Sequence, residues 1–328
     1  MGERLNVAII GCGLIGQKRA AALGEARLVV CCDPRQERAE SLARKYGAEV
    51  CGDWTEAVKR DDVDIVIVAT TNDSLAPIAL GAIEAGKHVL VEKPAARTVD
   101  EIEPLIAAAN ARDVRVRVGF NHRYHPALQK ARALVDDGAC GELMFLRARY
   151  GHGGRIGYET EWRADPKLAG GGELIDQGVH VIDLARWFLG DFTKVDGFAA
   201  TYFWEMPVDD NAFLLLRTAQ NHAAFLHVSC TEWKNLFSFE IYGKRGKLAI
   251  DGLGGSYGVE RLTYYRMLPE MGPPETTAWE FPRGNDSWAL ELNEFLDDIA
   301  QRRKPSAGLD EARAALEVVR RIYEASRT

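Results

Sequence analysis

The sequence predicts an α/β protein of two domains. The first is a doubly wound parallel sheet; the second is an α+β domain with a large open, mainly antiparallel sheet. Three observations predict this. Over the first 120 residues short apolar runs alternate with helical patterns, as parallel βαβ units require. Ile65 to Ala69 is apolar without alternation, as expected of a strand buried on both faces. From Val195 to Ile250 alternating runs follow one another with no helical segment between them, which reads as about four to six antiparallel strands.

In chain order, Leu5 to Ile10 is the first strand and Leu14 to Leu23 a helix. Ala26 to Cys32 is a strand ending in Asp33, and Gln36 to Tyr46 is a helix that Gly47 closes. After Ile65–Ala69, a helix runs from Leu75 to Ala85 and stops at Gly86. His88 to Val91 is a strand, and Thr98-x-x-Glu101 is a capping box opening a helix to about Arg112. Arg115 to Gly119 is the last strand of this half. The boundary falls near Phe120, giving domains 1–120 and 121–328. A helix from His125 to Asp137 follows, then a strand from Leu143, a glycine-rich loop and a helix from Leu174 to Leu189. The alternating runs are Ala212–Thr218, Ala223–Thr231, Leu236–Tyr242 and Lys247–Ile250. Gly252 to Arg283 reads as irregular loop plus one strand, and two helices, Ser287–Arg302 and Leu309–Ser326, end the chain.

Gly11-Cys12-Gly13-Leu14-Ile15-Gly16 lies between the first strand and its helix. G-x-G-x-x-G in that place, with an acid closing the next strand roughly 20 residues on, is a dinucleotide-binding pattern of the Rossmann type. Gly11 permits the turn, Gly13 lets backbone approach a pyrophosphate, and Gly16 lets helix and strand pack. The N–H groups at Leu14, Ile15 and Gly16 open the helix toward phosphate. Asp33, followed by Pro34, can accept from both ribose hydroxyls and repels a 2′-phosphate, so NAD is expected over NADP. Arg35 and Arg38 pull the other way, because an arginine past this strand is what accommodates a 2′-phosphate.

Bulk properties exclude several classes. The chain has 328 residues, 47% hydrophobic and 27% charged, with a formal net charge of −7, which argues against nucleic acid as the main partner. No apolar run reaches membrane-spanning length. Met1-Gly2-Glu3-Arg4 leads straight into the first strand, so no secretory leader is expected. Six cysteines without C-x-x-C or a Cys/His ligand set read as reduced core residues in the cytoplasm, and no metal is expected.

Two clusters could carry chemistry. Glu92-Lys93-Pro94 follows a strand of the parallel sheet, where ligands bind in such folds. Gly170-Gly171-Gly172 precedes Asp176 and His180, four apart and on one helical face. The set Gly11-x-Gly13-x-x-Gly16, Ala69-Thr70-Thr71-Asn72-Asp73, Ala85 to Pro94, Val118-Gly119-Phe120-Asn121-x-Arg123-Tyr124-x-Pro126, Trp162-Arg163 and Gly170 to His180 resembles the glucose-fructose oxidoreductase / inositol dehydrogenase family of NAD(P)-dependent oxidoreductases. The resemblance implies that Lys93, Asp176 and His180 are catalytic. It implies cofactor contacts along Thr70, Thr71, Asn72, Glu92 and Lys93, with Asn121, Trp162 and Arg163 close by. Arg123, Tyr150 and Tyr158 join Lys93, Asp176 and His180 as candidate substrate residues, with His152 and Arg155 on the same loop.

The expected reaction is oxidation of a secondary alcohol on a sugar, cyclitol or nucleotide-sugar, with NAD as hydride acceptor. An ordinary imidazole titrates near 6.5, which suits His180 as general base at neutral pH. Lys93 would stabilise charge on the reacting oxygen. Since Lys93 and His180 belong to different domains, the crevice between them is the expected active site. An NADP-dependent reductase of small carbonyls or dihydrodiols is the alternative enzyme, and a non-catalytic dinucleotide-sensing regulator the alternative of another class. A homodimer or homotetramer through the sheet of residues 195–250 is expected.

Overall fold

The computed structural model describes residues 4–282 and 284–327. In chain order the first elements are β1 (Asn6–Ile10), α1 (Leu14–Ala21), β2 (Arg27–Cys32), α2 (Gln36–Tyr46), β3 (Glu49–Cys51), α3 (Trp54–Ala57), β4 (Ile65–Val68), α4 (Asn72–Glu84), β5 (His88–Val91), α5 (Val99–Arg112) and β6 (Val116–Val118). Then come α6 (Pro126–Asp136), β7 (Leu143–Gly151), α7 (Pro166–Ala169) and, after a single π-helical turn at Leu174–Gly178, α8 (Val179–Leu189). The chain ends with β8 (Phe192–Ala200), β9 (Asn211–Thr218), β10 (Ala223–Ser229), β11 (Leu236–Gly243), β12 (Gly246–Asp251), β13 (Glu260–Arg266), β14 (Glu275–Phe281), α9 (Ser287–Ala300) and α10 (Leu309–Ser326).

The chain forms two compact units. One comprises the residues up to Phe120 with Lys167–Gly170 and Trp288–Leu316; the other comprises Asn121–Pro166, Gly171–Ser287 and the chain from Glu317 on. In the first, six parallel strands stand in the order β3-β2-β1-β4-β5-β6, the doubly wound arrangement. All four residues of β4 are buried, as its unbroken apolar run requires. Thr98 caps α5 by accepting from the Glu101 N–H at 3.3 Å. Glu101 reaches back one residue further than a capping box does, to the Arg97 N–H at 2.8 Å. The edge strand β3 was not expected; it has three residues, two of them exposed, and so carries no period.

Two buried arginines tie α9 to this unit. Arg19 of α1, 1% exposed, reaches Glu92 at 2.6 Å and Glu291 of α9 at 2.5 Å, with its guanidinium 4.4 Å over the Trp288 ring. Arg117 of β6 pairs with Asp298 at 2.5 Å and Glu294 at 3.0 Å.

The second unit holds eight strands in the order β14-β13-β12-β11-β7-β10-β9-β8. All pairs are antiparallel except β7 with β10. Five of these strands fill the span from which four to six were expected; β7 lies between β11 and β10, and the hairpin β13–β14 extends the sheet beyond β12. The hairpin occupies the stretch read as loop plus one strand; in β14 five of seven residues are exposed, so no apolar alternation marks it. Along β9, Ala212, Leu214 and Leu216 are buried, while Leu215 is 46% exposed. Phe198 and Phe225 share that open face at 45% and 46%.

Replacing Arg19 leaves Glu291 buried beside Glu92 without its cation. Arg19→Met should therefore cost about 3–5 kcal/mol in urea unfolding, and Arg19→Met/Glu291→Leu should recover part of it. Wild-type stability of the single variant would contradict this assignment.

Candidate active site

The turn after β1 is built around what glycine alone allows. Gly11 has φ +94°, and a Cβ there would lie 2.3 Å from the Ala69 carbonyl oxygen. A Cβ on Gly16 would lie 2.0 Å from the Gly11 oxygen, so α1 could not pack on the turn. Gly13 differs: a Cβ there would meet only Arg38 Nη1, at 3.6 Å. The fold itself has room for a side chain at Gly13, so the glycine leaves space for something else. Gly13 is the N-cap of α1, without a side-chain cap or an acid in the first turn. The N–H groups of Leu14, Ile15 and Gly16 therefore begin a helix suited to an anion. This cradle fits a pyrophosphate.

Asp33, 8% exposed, is fixed against the turn. Its Oδ2 accepts from the Cys12 N–H and its Oδ1 from the Arg35 N–H, each at 2.8 Å. Each oxygen keeps a lone pair for a further donor such as a ribose hydroxyl. Pro34, Arg35 and Arg38 are exposed around it.

The strand ends carry the other expected contacts of this unit. Thr70 and Thr71 are half-buried, and Thr71 Oγ1 donates to Asp73 at 2.6 Å. Asn72 is buried and donates to the Ala169 carbonyl at 2.9 Å. Lys93 is half-buried after β5, and the Lys93–Pro94 bond is cis. Glu92, expected at the cofactor, has its carboxylate paired with Arg19. A buried acid needs a cation, and α1 supplies one.

In the second unit one carboxylate organises the start of the helix that carries Asp176 and His180. Asp209 Oδ1 accepts from Gly172 N–H at 2.9 Å and from the Tyr323 hydroxyl at 2.7 Å, and its Oδ2 accepts from Leu174 N–H at 2.8 Å. A Cβ on Gly172 would lie 1.9 Å from the Asp209 carbonyl oxygen. The glycine run thus permits the capping. The turn that follows is π-helical rather than α-helical, a distortion found often at functional sites.

Asp176, Glu173 and His180 are all buried. Asp176 Oδ2 accepts from Arg163 Nε at 3.0 Å, and the Arg163 guanidinium lies 4.6 Å over Trp162. Asp176 is the leading cause that holds the Arg163 pKa above its usual value. His180 stacks on His122, with ring centroids 3.7 Å apart and planes 16° apart. Tyr150 stands edge-on to His122 at 5.2 Å and lies 5.3 Å from Tyr257. Burial pushes the phenols of Tyr150, Tyr158 and Tyr257 up, which keeps them protonated donors at neutral pH. His152 faces Glu173 at 3.7 Å, its Nδ1 accepts from Gly154 N–H, and burial lowers its pKa. The neutral ring then carries its proton on Nε2, toward Glu173.

Sequence reasoning brought Tyr150, Tyr158, Asp176, His180 and Arg163 into one unit with a common polar cluster. The Arg123 guanidinium, expected at the substrate, is buried in a bidentate pair with Asp183, at 2.7 and 2.6 Å, and lies over Trp187. Asn121 donates to Ser287 Oγ at 2.9 Å. His122, Glu173 and Tyr257 were missed. His122 lies inside the Asn-x-Arg stretch and Glu173 inside the Gly170-to-His180 stretch, each as an unassigned position, and Tyr257 has no neighbours of distinctive spacing. Among the described residues, no group of His, Cys, Asp or Glu is arranged to hold a metal ion.

Two family descriptions match the chain. An oxidoreductase family with an NAD-binding Rossmann fold covers residues 5–120, and the GFO/IDH/MocA C-terminal domain covers residues 128–249. The chain belongs to the GFO/IDH/MocA family and is an NAD-dependent oxidoreductase acting on CH–OH groups. It is 31% identical to inositol 2-dehydrogenase of Rubrobacter xylanophilus over 77% of this chain and 73% of that protein. Against levoglucosan dehydrogenase of Pseudarthrobacter phenanthrenivorans the identity is 28% over 76% and 74%. The solved structure of GenD2 from gentamicin A biosynthesis in complex with NAD is similar at a TM-score of 0.85 and 28% identity, covering all of this chain and 95% of that one.

The two glycines should separate by experiment. Gly13→Ala should keep wild-type stability while weakening NAD binding at least 10-fold by fluorescence titration, because only the ligand needs that space. Gly16→Ala should lower the melting temperature in the absence of cofactor. Wild-type NAD affinity in Gly13→Ala would refute the cradle.

Proposed function

We propose that this enzyme oxidises a secondary alcohol of a sugar, cyclitol or nucleotide-sugar, with Lys93, Asp176 and His180 acting on the substrate. The observation that carries the reading is a buried histidine that follows two buried carboxyls along a glycine-permitted helix start, in a chain with an NAD cradle. Relatives named for levoglucosan and inositol support the substrate class.

When bound, NAD supplies the hydride acceptor, and Gly11, Gly13, Gly16 and Asp33 would hold it. His180 takes the hydroxyl proton as the carbonyl forms and returns it in the reverse direction. The Lys93 ammonium stabilises negative charge developing on the same oxygen. Asp176 orients His180 or a substrate hydroxyl and favours the imidazolium. Tyr150 and Tyr158 donate to substrate hydroxyls. The donors and acceptors are those a polyol needs.

The open face of the eight-stranded sheet, with Phe198, Leu215 and Phe225 exposed, supports self-association as a homodimer or homotetramer. Light scattering at micromolar concentration should return a multiple of 36.3 kDa, and Phe225→Glu should shift it toward the single-chain mass. A wild-type mass of one chain would refute this. Six unpaired cysteines, five of them buried, support a reducing compartment such as the cytoplasm. Among the described residues, no helix is long and apolar enough to cross a membrane.

A panel of sugars and cyclitols with NAD, followed by NADH fluorescence, should identify the substrate. On it, Lys93→Ala should cost roughly 10²–10³ in kcat and His180→Ala roughly 10²–10⁴. Because a protonated imidazole cannot accept the alcohol proton, oxidation should slow as pH falls, and His180→Ala should flatten that limb. NAD affinity should barely change in either variant. Wild-type turnover in either would refute the assignment.

A further inference from the structure

The stack of His122 on His180 has no part in the mechanism above, yet it is the closest ring contact in the site. We propose that His122 is a positioning residue: a neutral, flat platform that fixes the His180 ring and favours the cation His180 becomes on taking a proton. The proposal rests on His180 being the general base.

The hydrogen-bond chain behind His122 settles which of its nitrogens carries the proton. Asn285 Oδ1 accepts from the Ser287 N–H and from the Ser287 hydroxyl. The Ser287 oxygen, its proton thus spent, accepts from Asn121 Nδ2 at 2.9 Å. This orients the Asn121 amide, so its Oδ1 is the atom 3.3 Å from His122 Nδ1. A carbonyl oxygen can only accept, and Nδ1 therefore carries hydrogen. The ring is held edge and face. Tyr150, His125 and Phe237 approach edge-on at 5.2, 5.6 and 6.3 Å, and His180 lies flat against it at 3.7 Å.

Two imidazolium rings face to face at that separation would repel strongly, so the pair takes up one extra proton between them and not two. The substrate proton arrives on His180. A neutral aromatic face under a cation attracts it, which favours the imidazolium without a countercharge in the stack. The other titratable groups around the pair are His125, which holds Glu260 at 3.0 Å, the phenols of Tyr150 and Tyr257, and the carboxyls of Glu173 and Asp176. A flat ring also limits rotation of His180 about its side-chain bonds. A base held within reach of one oxygen loses little to misalignment.

The test compares His122→Phe, His122→Ala and His122→Gln with wild type and His180→Ala, on the substrate identified above with NAD. His122→Ala and His122→Gln, which lack a flat ring, should lose about 10- to 100-fold in kcat, with KM for the alcohol and NAD affinity within about three-fold of wild type. His122→Phe should recover most of kcat. The acid limb of the wild-type kcat profile should follow a single proton. Should the alanine variant not fold, the glutamine variant carries the comparison. Wild-type kcat in the glutamine variant, a phenylalanine variant no better than it, or a two-proton limb would each overturn the proposal. Turnover retained by His180→Ala would instead overturn the reading beneath it, and the platform with it.

Discussion

The polar cluster of the second unit depends on the way Asp209 caps a helix start. A side chain from the loop between β8 and β9 satisfies two backbone donors, at Gly172 and Leu174, and Tyr323 of α10 holds the same carboxylate. The first N–H groups of a helix have no partner inside it. Here they find one fixed acid, and the backbone approaches so closely that Gly172 admits no Cβ. Glu173, Asp176 and His180 follow within the next turns, buried under the eight-stranded sheet. Their positions inherit the precision of that cap.

Glycine serves two opposite ends in this chain. At Gly11, Gly16 and Gly172 the fold itself excludes a side chain. At Gly13 the fold has space and only a ligand does not. That distinction turns a common pattern into a site, because a glycine that packing does not need points to something bound. In the buried Arg19–Glu92–Glu291 group a residue of the Glu-Lys-Pro motif also helps to anchor α9.

Much of this was legible in the sequence. Unbroken apolar runs gave β4 and β5, and the change to alternation located the second sheet. The dinucleotide cradle was legible because its constraints are local: a turn, a helix start and the acid ending the next strand. The π-turn was not legible, since Asp176 and His180 keep the four-residue spacing that an α-helix would give. Asp209 lies far from Gly172 along the chain, and nothing in its neighbours marks it as a cap. The Arg123–Asp183 pair was not legible, because a polar residue after a strand looks the same whether it faces a ligand or a buried aspartate. His122 was passed over for the same reason: its partner stands 58 positions away, on α8.

The proposed reaction is direct hydride transfer from a carbinol carbon of a sugar-like alcohol to NAD. It is tested with substrate carrying deuterium at that carbon, by the mass of the nicotinamide product. Each turnover should place one deuterium in the reduced cofactor, with none lost to water. Reduced cofactor free of deuterium, or label washed out into solvent, would contradict it.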